Sequence, residues 1–308
     1  MKFISLLFLF VTCQHFLLGQ SPARYRDQVF EEVNRRKNIS YQDSATTPVR
    51  RNLMDLYEPA GDTLLSRPVI VLMHGGGFKF GSKNISRMKI WGRRFARKGY
   101  VVAAINYRLS KKKPLSKFPD LAEGCIEGME DAATAVRYLR AHARELRINP
   151  ASVILAGHSA GGMIAIQSVY SSAGEIRSLI KKGKEGVGTT RKPETSHNPQ
   201  QIAAVVNFWG AIYDTTWLQN TRVPIVNIHG SKDRVVPANF NGNPLFGSIA
   251  IHRNAIRLGI PAALKIYQGI GHELQKHFNP IYAGPVARKR WRNAADFAAS
   301  FLYDKVNL

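Results

Sequence analysis

Apolar residues in this chain gather in short continuous runs, separated by longer stretches in which they recur at helical spacing. Val69-Ile70-Val71-Leu72-Met73 is the clearest run. Its length and β-branched content predict a strand buried on both faces. Comparable runs occur at residues 100–105, 152–156, 202–208, 224–228 and 262–267. Residues 52–57 alternate as a strand does and stop at Glu58-Pro59-Ala60-Gly61. Helical patterns lie between the runs, over 90–98, 122–146, 160–170, 245–258 and 286–303. In the second of these, Val136, Leu139, Ala143 and Leu146 form a core stripe. Arg137, Arg140, Arg144 and Arg147 follow one position later, which reads as a solvated basic face, with a docking strip for a polyanion as the alternative. Strands alternating with helices predict an α/β architecture: a mostly parallel sheet with helices on both faces.

Two segments depart from this rhythm. Residues 20–50 are polar and basic, which suits a surface arm or a first hairpin. Residues 173–200 are rich in Lys, Gly, Ser and Thr and long for a plain loop, so they read as a polar basic insertion, a lid or mobile excursion. No linker divides residues 20–308, and one catalytic domain is expected. Residues 1–19 have a basic start, an apolar stretch and a terminal small residue, the pattern of a secretory signal peptide. The stretch is short for a spanning helix, which needs about 20 apolar residues. The expected product is secreted or periplasmic, with no transmembrane span in its mature form. Val11-Thr12-Cys13 fits a lipoprotein box poorly because of Thr12, and lipid anchoring is not expected. Removal of residues 1–19 would take Cys13 and leave Cys125 without a disulfide partner, as a small buried helix side chain.

Composition narrows the class without naming the chemistry. Apolar residues make up 44% of the 308 positions, which excludes wholesale disorder. Lys and Arg number 44 against 21 Asp and Glu, a formal charge of +23. Such a balance suits nucleic acid, or equally an acidic polysaccharide or anionic surface. No zinc-finger, RNP-like or helix-turn-helix signature is present, and a signal peptide points away from nucleic acid.

The chemistry lies in four motifs, each after a predicted strand. Gly157-His158-Ser159-Ala160-Gly161 joins a strand to a helix, the context of a nucleophile elbow. A serine hydroxyl is a weak nucleophile and needs a base, with an acid to orient that base. His74-Gly75-Gly76-Gly77 offers backbone N–H groups unobstructed by side chains, suited to a developing oxyanion. A phosphate cradle would need a different glycine pattern with Lys or a helix opening, and neither is present. Asp233, in His229-Gly230-Ser231-Lys232-Asp233, and His272, in Gly271-His272-Glu273, complete the order Ser, Asp, His.

With these motifs the chain resembles the α/β-hydrolases, and within them the carboxylesterase/lipase group carrying His-Gly-Gly-Gly. Asn106-Tyr107-Arg108-Leu109, Glu130-Asp131-Ala132 and Tyr138-Leu139-Arg140 add to the likeness, which runs from about residue 55 to residue 304. Residues 20–50 are short for a full N-terminal helical cap, so the arrangement is closer to the feruloyl-esterase-like bacterial branch. The resemblance implies Ser159 as nucleophile, His272 as base, Asp233 as acid, and an oxyanion hole from the N–H groups of Gly76, Gly77 and Ala160. It implies a serine hydrolase of carboxylic esters working through an acyl-enzyme, with no cofactor and no metal.

Other readings compete at single positions. His272 and His277 miss the i, i+4 spacing of a zinc helix. Asp214 also follows a strand and is a substitute acid. Trp209, Tyr213 and Trp217 line a substrate pocket or serve as core aromatics, and His74 and His158 brace their turns. The whole-protein alternatives are a lipase, a polyester, feruloyl or acetyl polysaccharide esterase, a serine peptidase related to prolyl oligopeptidase, and a non-catalytic polyanion-binding module.

Overall fold

The structure, a computed structural model, describes residues 22–42, 51–185, 201–242 and 244–306. The signal peptide expected at 1–19 lies outside the described residues, as do residues 186–200 of the expected insertion. An eight-stranded sheet has the order β1-β2-β4-β3-β5-β6-β7-β8. Its strands are β1 (Val33–Ser40), β2 (Leu53–Pro59), β3 (Arg67–Met73), β4 (Val101–Ile105), β5 (Ile148–His158), β6 (Ile202–Phe208), β7 (Ile225–Gly230) and β8 (Ala262–Tyr267). β1 pairs antiparallel with β2, and β2 with β4; every other pairing is parallel. The polar arm therefore contains a sheet-edge strand, β2 joins it antiparallel to the sheet, and β3 to β8 form the parallel sheet that the apolar runs predict.

Side-chain alternation divides the core into two layers. Val69, Val71 and Met73 of β3 face one layer, with Val101, Ala103 and Leu155. Helices α2 (Phe118–Ala141), α3 (Ala160–Tyr170) and α5 (Ser248–Arg257) close it. Ile70 and Leu72 face the other layer, which α1 (Ser86–Ala96) and α6 (Pro285–Lys305) cover with Trp91, Phe95, Trp291 and Ala294. Burial on both faces explains why these strands read as unbroken apolar runs.

One expectation changes. Residues 173–185 are not a loose excursion but helix α4 (Ala173–Glu185), packed beside α2. Ile176 is fully buried, with Leu179 and Ile180 packed against the same layer. Its start is a capping box: Ser172 Oγ accepts from Glu175 N at 3.2 Å while Glu175 Oε2 accepts from Ser172 N at 2.7 Å. The short apolar stripe is hidden among lysines, and that obscured the helix. The arginine face also differs from a free docking strip. α2 ends at Ala141, and Arg140 donates to the carbonyls of Pro150 and Gln201 at 3.0 and 2.8 Å, tying the helix to β5 and the approach to β6.

Among the described residues no helix is long and apolar enough to cross a membrane, and no group of His, Cys, Asp or Glu could hold a metal ion. Cys125 is buried in α2, and burial pushes its thiol up to about 12, so it stays protonated and unreactive.

Candidate active site

All four motifs emerge at the carboxyl ends of parallel strands, the end of an open α/β sheet where ligands bind. β5 ends at His158, and Ser159 follows at the N-terminus of α3 with φ 53 and ψ −121. That backbone is strained for a non-glycine residue, at a cost of about 1–3 kcal/mol. The elbow is held by Ser159 N donating to Phe208 O at 2.9 Å and by Met163 N donating to Ser159 O at 2.9 Å. Gly161 is obligatory here, because a Cβ would lie 2.3 Å from Met73 O and 2.6 Å from His74 O. The elbow and the glycine loop after β3 are thus in direct contact.

Asp233 follows β7, and His272 lies on the segment after β8. His272 Nδ1 is 2.7 Å from Asp233 Oδ2, and Nε2 is 3.1 Å from Ser159 Oγ. A carboxylate only accepts, so Nδ1 carries the imidazole proton and Nε2 is left to accept from the serine hydroxyl. Ser159, Asp233 and His272 are all buried, at 7%, 8% and 4% exposure, so water screens these contacts little. Phe278 sets its ring edge-on to His272 at 5.3 Å while remaining half exposed. The folded chain brings all three sequence candidates into one chain of hydrogen bonds.

The acid has a second histidine beside it. His229 Nε2 lies 3.0 Å from Val236 O and 3.3 Å from Asp233 Oδ2. A carbonyl only accepts, so Nε2 bears the proton and donates, while Nδ1 accepts from Ser248 Oγ at 2.8 Å. Asp233 Oδ1 accepts from the N–H groups of Val235 and Val236, both at 2.9 Å. Burial alone would raise this carboxyl, but the bonds from His229 and His272 outweigh it and hold Asp233 well below the usual carboxylate range. His229 stood in the sequence motif without a role. Its signal was its place at the end of an apolar strand, where an imidazole must find buried partners.

The glycine loop is fixed from several sides. Gly76 has φ 118, and a Cβ there would meet Phe80 O at 2.2 Å. His74 Nδ1 donates to Gly75 O at 2.7 Å, its ring stacks on Tyr107 at 4.2 Å, and Tyr107 donates to His74 O at 2.7 Å. Arg108 pairs with buried Asp131 at 2.9 Å, so the Tyr107-Arg108 segment is locked to α2. Farther along, Lys83 Nζ lies 2.6 Å from the fully buried Asp55. Among the described residues, the N–H groups of Gly76, Gly77 and Ala160 have no hydrogen-bond partner. The first N–H groups of a helix are unpaired by construction, which puts Ala160 N in the right place for an anion.

The remaining candidates sort themselves. Asp214 is turned away into its own turn, accepting from Thr216 N at 2.8 Å, and touches neither His272 nor Ser159. Trp209 and Tyr213 are fully buried core aromatics, and Trp217 is nearly so. His158 is fully buried against Trp91 and Trp209.

Two buried histidines give this region a pH signature. Burial lowers His74 to about 4, partly countered by its bond to Gly75 O, and burial holds His158 well below its ordinary value. In the unfolded chain both titrate near about 6.5. Between these limits the unfolded chain binds more protons, so stability rises with pH. The contribution is complete above about 6.5 and is lost as pH falls toward about 4; for His74 alone it is of order 3 kcal/mol. Urea midpoints should hold steady from pH 7.5 to about 6.5 and fall from there to pH 4.5, and a profile flat over the whole range would contradict the buried neutral histidines.

Comparison with known proteins bears on this geometry. The BD-FAE family model matches residues 54–216, more than half the chain. The chain belongs to the BD-FAE family. The match includes the glycine loop and the elbow, whereas Asp233 and His272 lie beyond it. Gut esterase 1 of Caenorhabditis elegans is 25% identical over 142 residues, which are 45% of this BD-FAE chain and 25% of the relative. An AB hydrolase superfamily protein of Schizosaccharomyces pombe is 25% identical over 247 residues, covering 74% of this chain and 69% of that one. The alignment to gut esterase 1 thus spans about a quarter of that protein's length. Among solved structures, Thermogutta terrifontis esterase 2 phosphorylated by paraoxon superposes with a TM-score of 0.57 at 20% identity, covering 90% of this chain and 95% of that one. The fold is that of the α/β-hydrolases.

Proposed function

We propose that this BD-FAE protein is a serine hydrolase of carboxylic esters. The observation that carries the proposal is the continuous relay from Asp233 through His272 to Ser159. Ser159 Oγ attacks the ester carbonyl as His272 Nε2 takes its proton. Asp233 keeps the Nδ1 proton in place and stabilises the imidazolium that forms. The N–H groups of Gly76, Gly77 and Ala160 receive the oxyanion, and loss of one such donor costs about 10²–10³ in rate. The tetrahedral intermediate collapses as His272 protonates the departing alcohol. His272 then draws a proton from water, which attacks the acyl-enzyme, and returns it to Ser159 Oγ as the second intermediate collapses and releases the carboxylic acid. Esterase names among the relatives support the ester over the amide as substrate.

The finer reading is a feruloyl-esterase-like enzyme, secreted or periplasmic, acting on esters of acidic polysaccharide. Leu115 would meet a Cβ at Gly77 at 2.2 Å, so the Lys111-to-Lys117 segment borders the glycine loop. Lys111, Lys112, Lys113 and Lys117 are exposed there, and none forms a salt bridge among the described residues. An ester panel tests both levels. It compares p-nitrophenyl acyl esters of rising chain length, hydroxycinnamoyl esters, insoluble lipids, aminoacyl amides, and acidic against neutral polysaccharide esters at low and raised salt. Turnover of esters with stoichiometric paraoxon labelling is expected, and salt should depress only the acidic polymer. Amide turnover without ester turnover would overturn the reaction class. Salt-independent activity on the acidic polymer would overturn the polymer reading. The mature N-terminus of secreted protein should lie close after residue 19, and an intact Met1 would exclude the signal peptide.

A further inference from the structure

His272 has to meet Asp233 and Ser159 at once, yet its own segment has little to hold it. It occupies a single short turn, His272–Leu274, in which Glu273 (φ 58) and Leu274 (φ 55) both adopt the left-handed backbone. Within the turn, Gly271 N donates to Gln275 O at 2.8 Å and Gln275 N donates to His272 O at 3.1 Å. Ordinary residues do not hold such a conformation without outside support.

That support comes from the far side of the turn. Glu273 points away from the reacting atoms and forms a two-pronged pair with Arg87 in the first turn of α1. Arg87 Nη1 donates to Glu273 Oε2 at 2.5 Å, and Nη2 donates to Oε1. Both side chains are only 9% exposed. The guanidinium lies over the Trp291 ring at 4.7 Å, and Trp291 Nε1 donates to Glu273 O at 2.6 Å. Trp91 Nε1 donates in turn to Trp291 O at 2.8 Å, and Gln275 Nε2 donates to Glu273 Oε2 at 3.2 Å. The residue after the base is therefore pinned through side chain and carbonyl to α1 and α6. Neither Arg87 nor Glu273 touches Ser159, Asp233 or the imidazole in any hydrogen bond among the described residues.

We propose that Arg87 and Glu273 are a positioning pair that sets His272 within reach of both Asp233 and Ser159. The proposal rests on the ester-hydrolase reading for the role of His272. A buried ion pair is a weak source of stability, because desolvation offsets most of its attraction. Its fixed planar geometry is what an apolar contact would not supply. A displacement of about 1 Å at a base can cost about 10²-fold in rate, so even a partial loosening is measurable.

The test is the double replacement Arg87→Met with Glu273→Gln, which leaves no buried charge unpaired, and separately Arg87→Lys, which keeps the charge and loses the fork. Thermal unfolding establishes that each is folded. For a short soluble ester, kcat in the double variant should fall at least about tenfold with KM changed less than about twofold. The low-field proton resonance of His272 Nδ1–H should broaden or vanish. Arg87→Lys should fall between the double variant and wild type on both measures, and it decides alone if the double variant does not fold. A folded double variant, or a folded Arg87→Lys, with wild-type kcat and an unaltered Nδ1–H resonance would overturn the positioning role. The two readings fail separately. Wild-type protein that neither turns over esters nor is labelled by paraoxon at Ser159 would sink the ester-hydrolase reading, and the Nδ1–H resonance would still decide whether the pair holds His272.

Discussion

Replacing Ser159 with alanine is expected to lower kcat on a soluble ester by about 10⁶-fold. Ser159 Oγ is the group bonded to His272 Nε2, and an alanine methyl offers nothing to deprotonate. The donors of the glycine loop and α3 would remain, leaving residual catalysis about 10³–10⁴-fold above water. The fold should not suffer. Alanine meets the same backbone at φ 53, and the bonds that hold the elbow come from main-chain N–H and carbonyl groups. The check is steady-state turnover with p-nitrophenyl esters, thermal unfolding, and mass after paraoxon treatment. Wild type should gain one phosphoryl adduct and the variant none. A folded variant within tenfold of wild type would place the nucleophile elsewhere.

Asp233→Asn should cost about 10⁴-fold in kcat with little change in KM. The shape is preserved, and the side-chain oxygen can still accept from the Val235 and Val236 N–H groups. The other position then holds an NH₂ group, which donates where a carboxylate oxygen accepted. His272 must turn its unprotonated nitrogen toward it, so the proton moves to Nε2 and faces Ser159. A base in that tautomer cannot take the serine proton. His229, which also aims an N–H at this oxygen, would keep only the Val236 carbonyl as its acceptor. Flipping the amide restores those contacts only by losing the two valine N–H bonds. Turnover and paraoxon labelling should fall in parallel. Labelling at the wild-type rate would mean that Asp233 does not orient the base.

The candidate site was legible because its parts are local. A strained serine turn between strand and helix needs glycines at fixed offsets, so Gly157-His158-Ser159-Ala160-Gly161 carries its own geometry. The glycine loop after β3 is readable for the same reason. The central parallel strands were readable because burial on both faces leaves no alternation to misread, and β6 falls at the expected residues, as does the half-buried edge strand β8. Helix α4 was missed because its apolar stripe is short and lies among lysines, and its packing against α2 is a tertiary contact. Glu273 and Arg87 could not be linked from the sequence. A charged residue reads as exposed unless its partner is known, and here the partners are 186 residues apart.

By itself, the sequence determined the α/β alternation, the elbow, the glycine loop and the order Ser159, Asp233, His272, since each depends on short-range backbone sterics or on periodicity. Only the tertiary structure decided that these groups meet, with His272 at 2.7 and 3.1 Å from its partners. It also set Asp233 rather than Asp214 against His272, although both acids lie on loops after strands, and turned the aromatics Trp209 and Tyr213 into core. It set His229 against Asp233 and Arg87 against Glu273. Such contacts depend on the register of neighbouring strands and on which helix covers which face, and no local pattern in the chain encodes a distance between residues far apart in it.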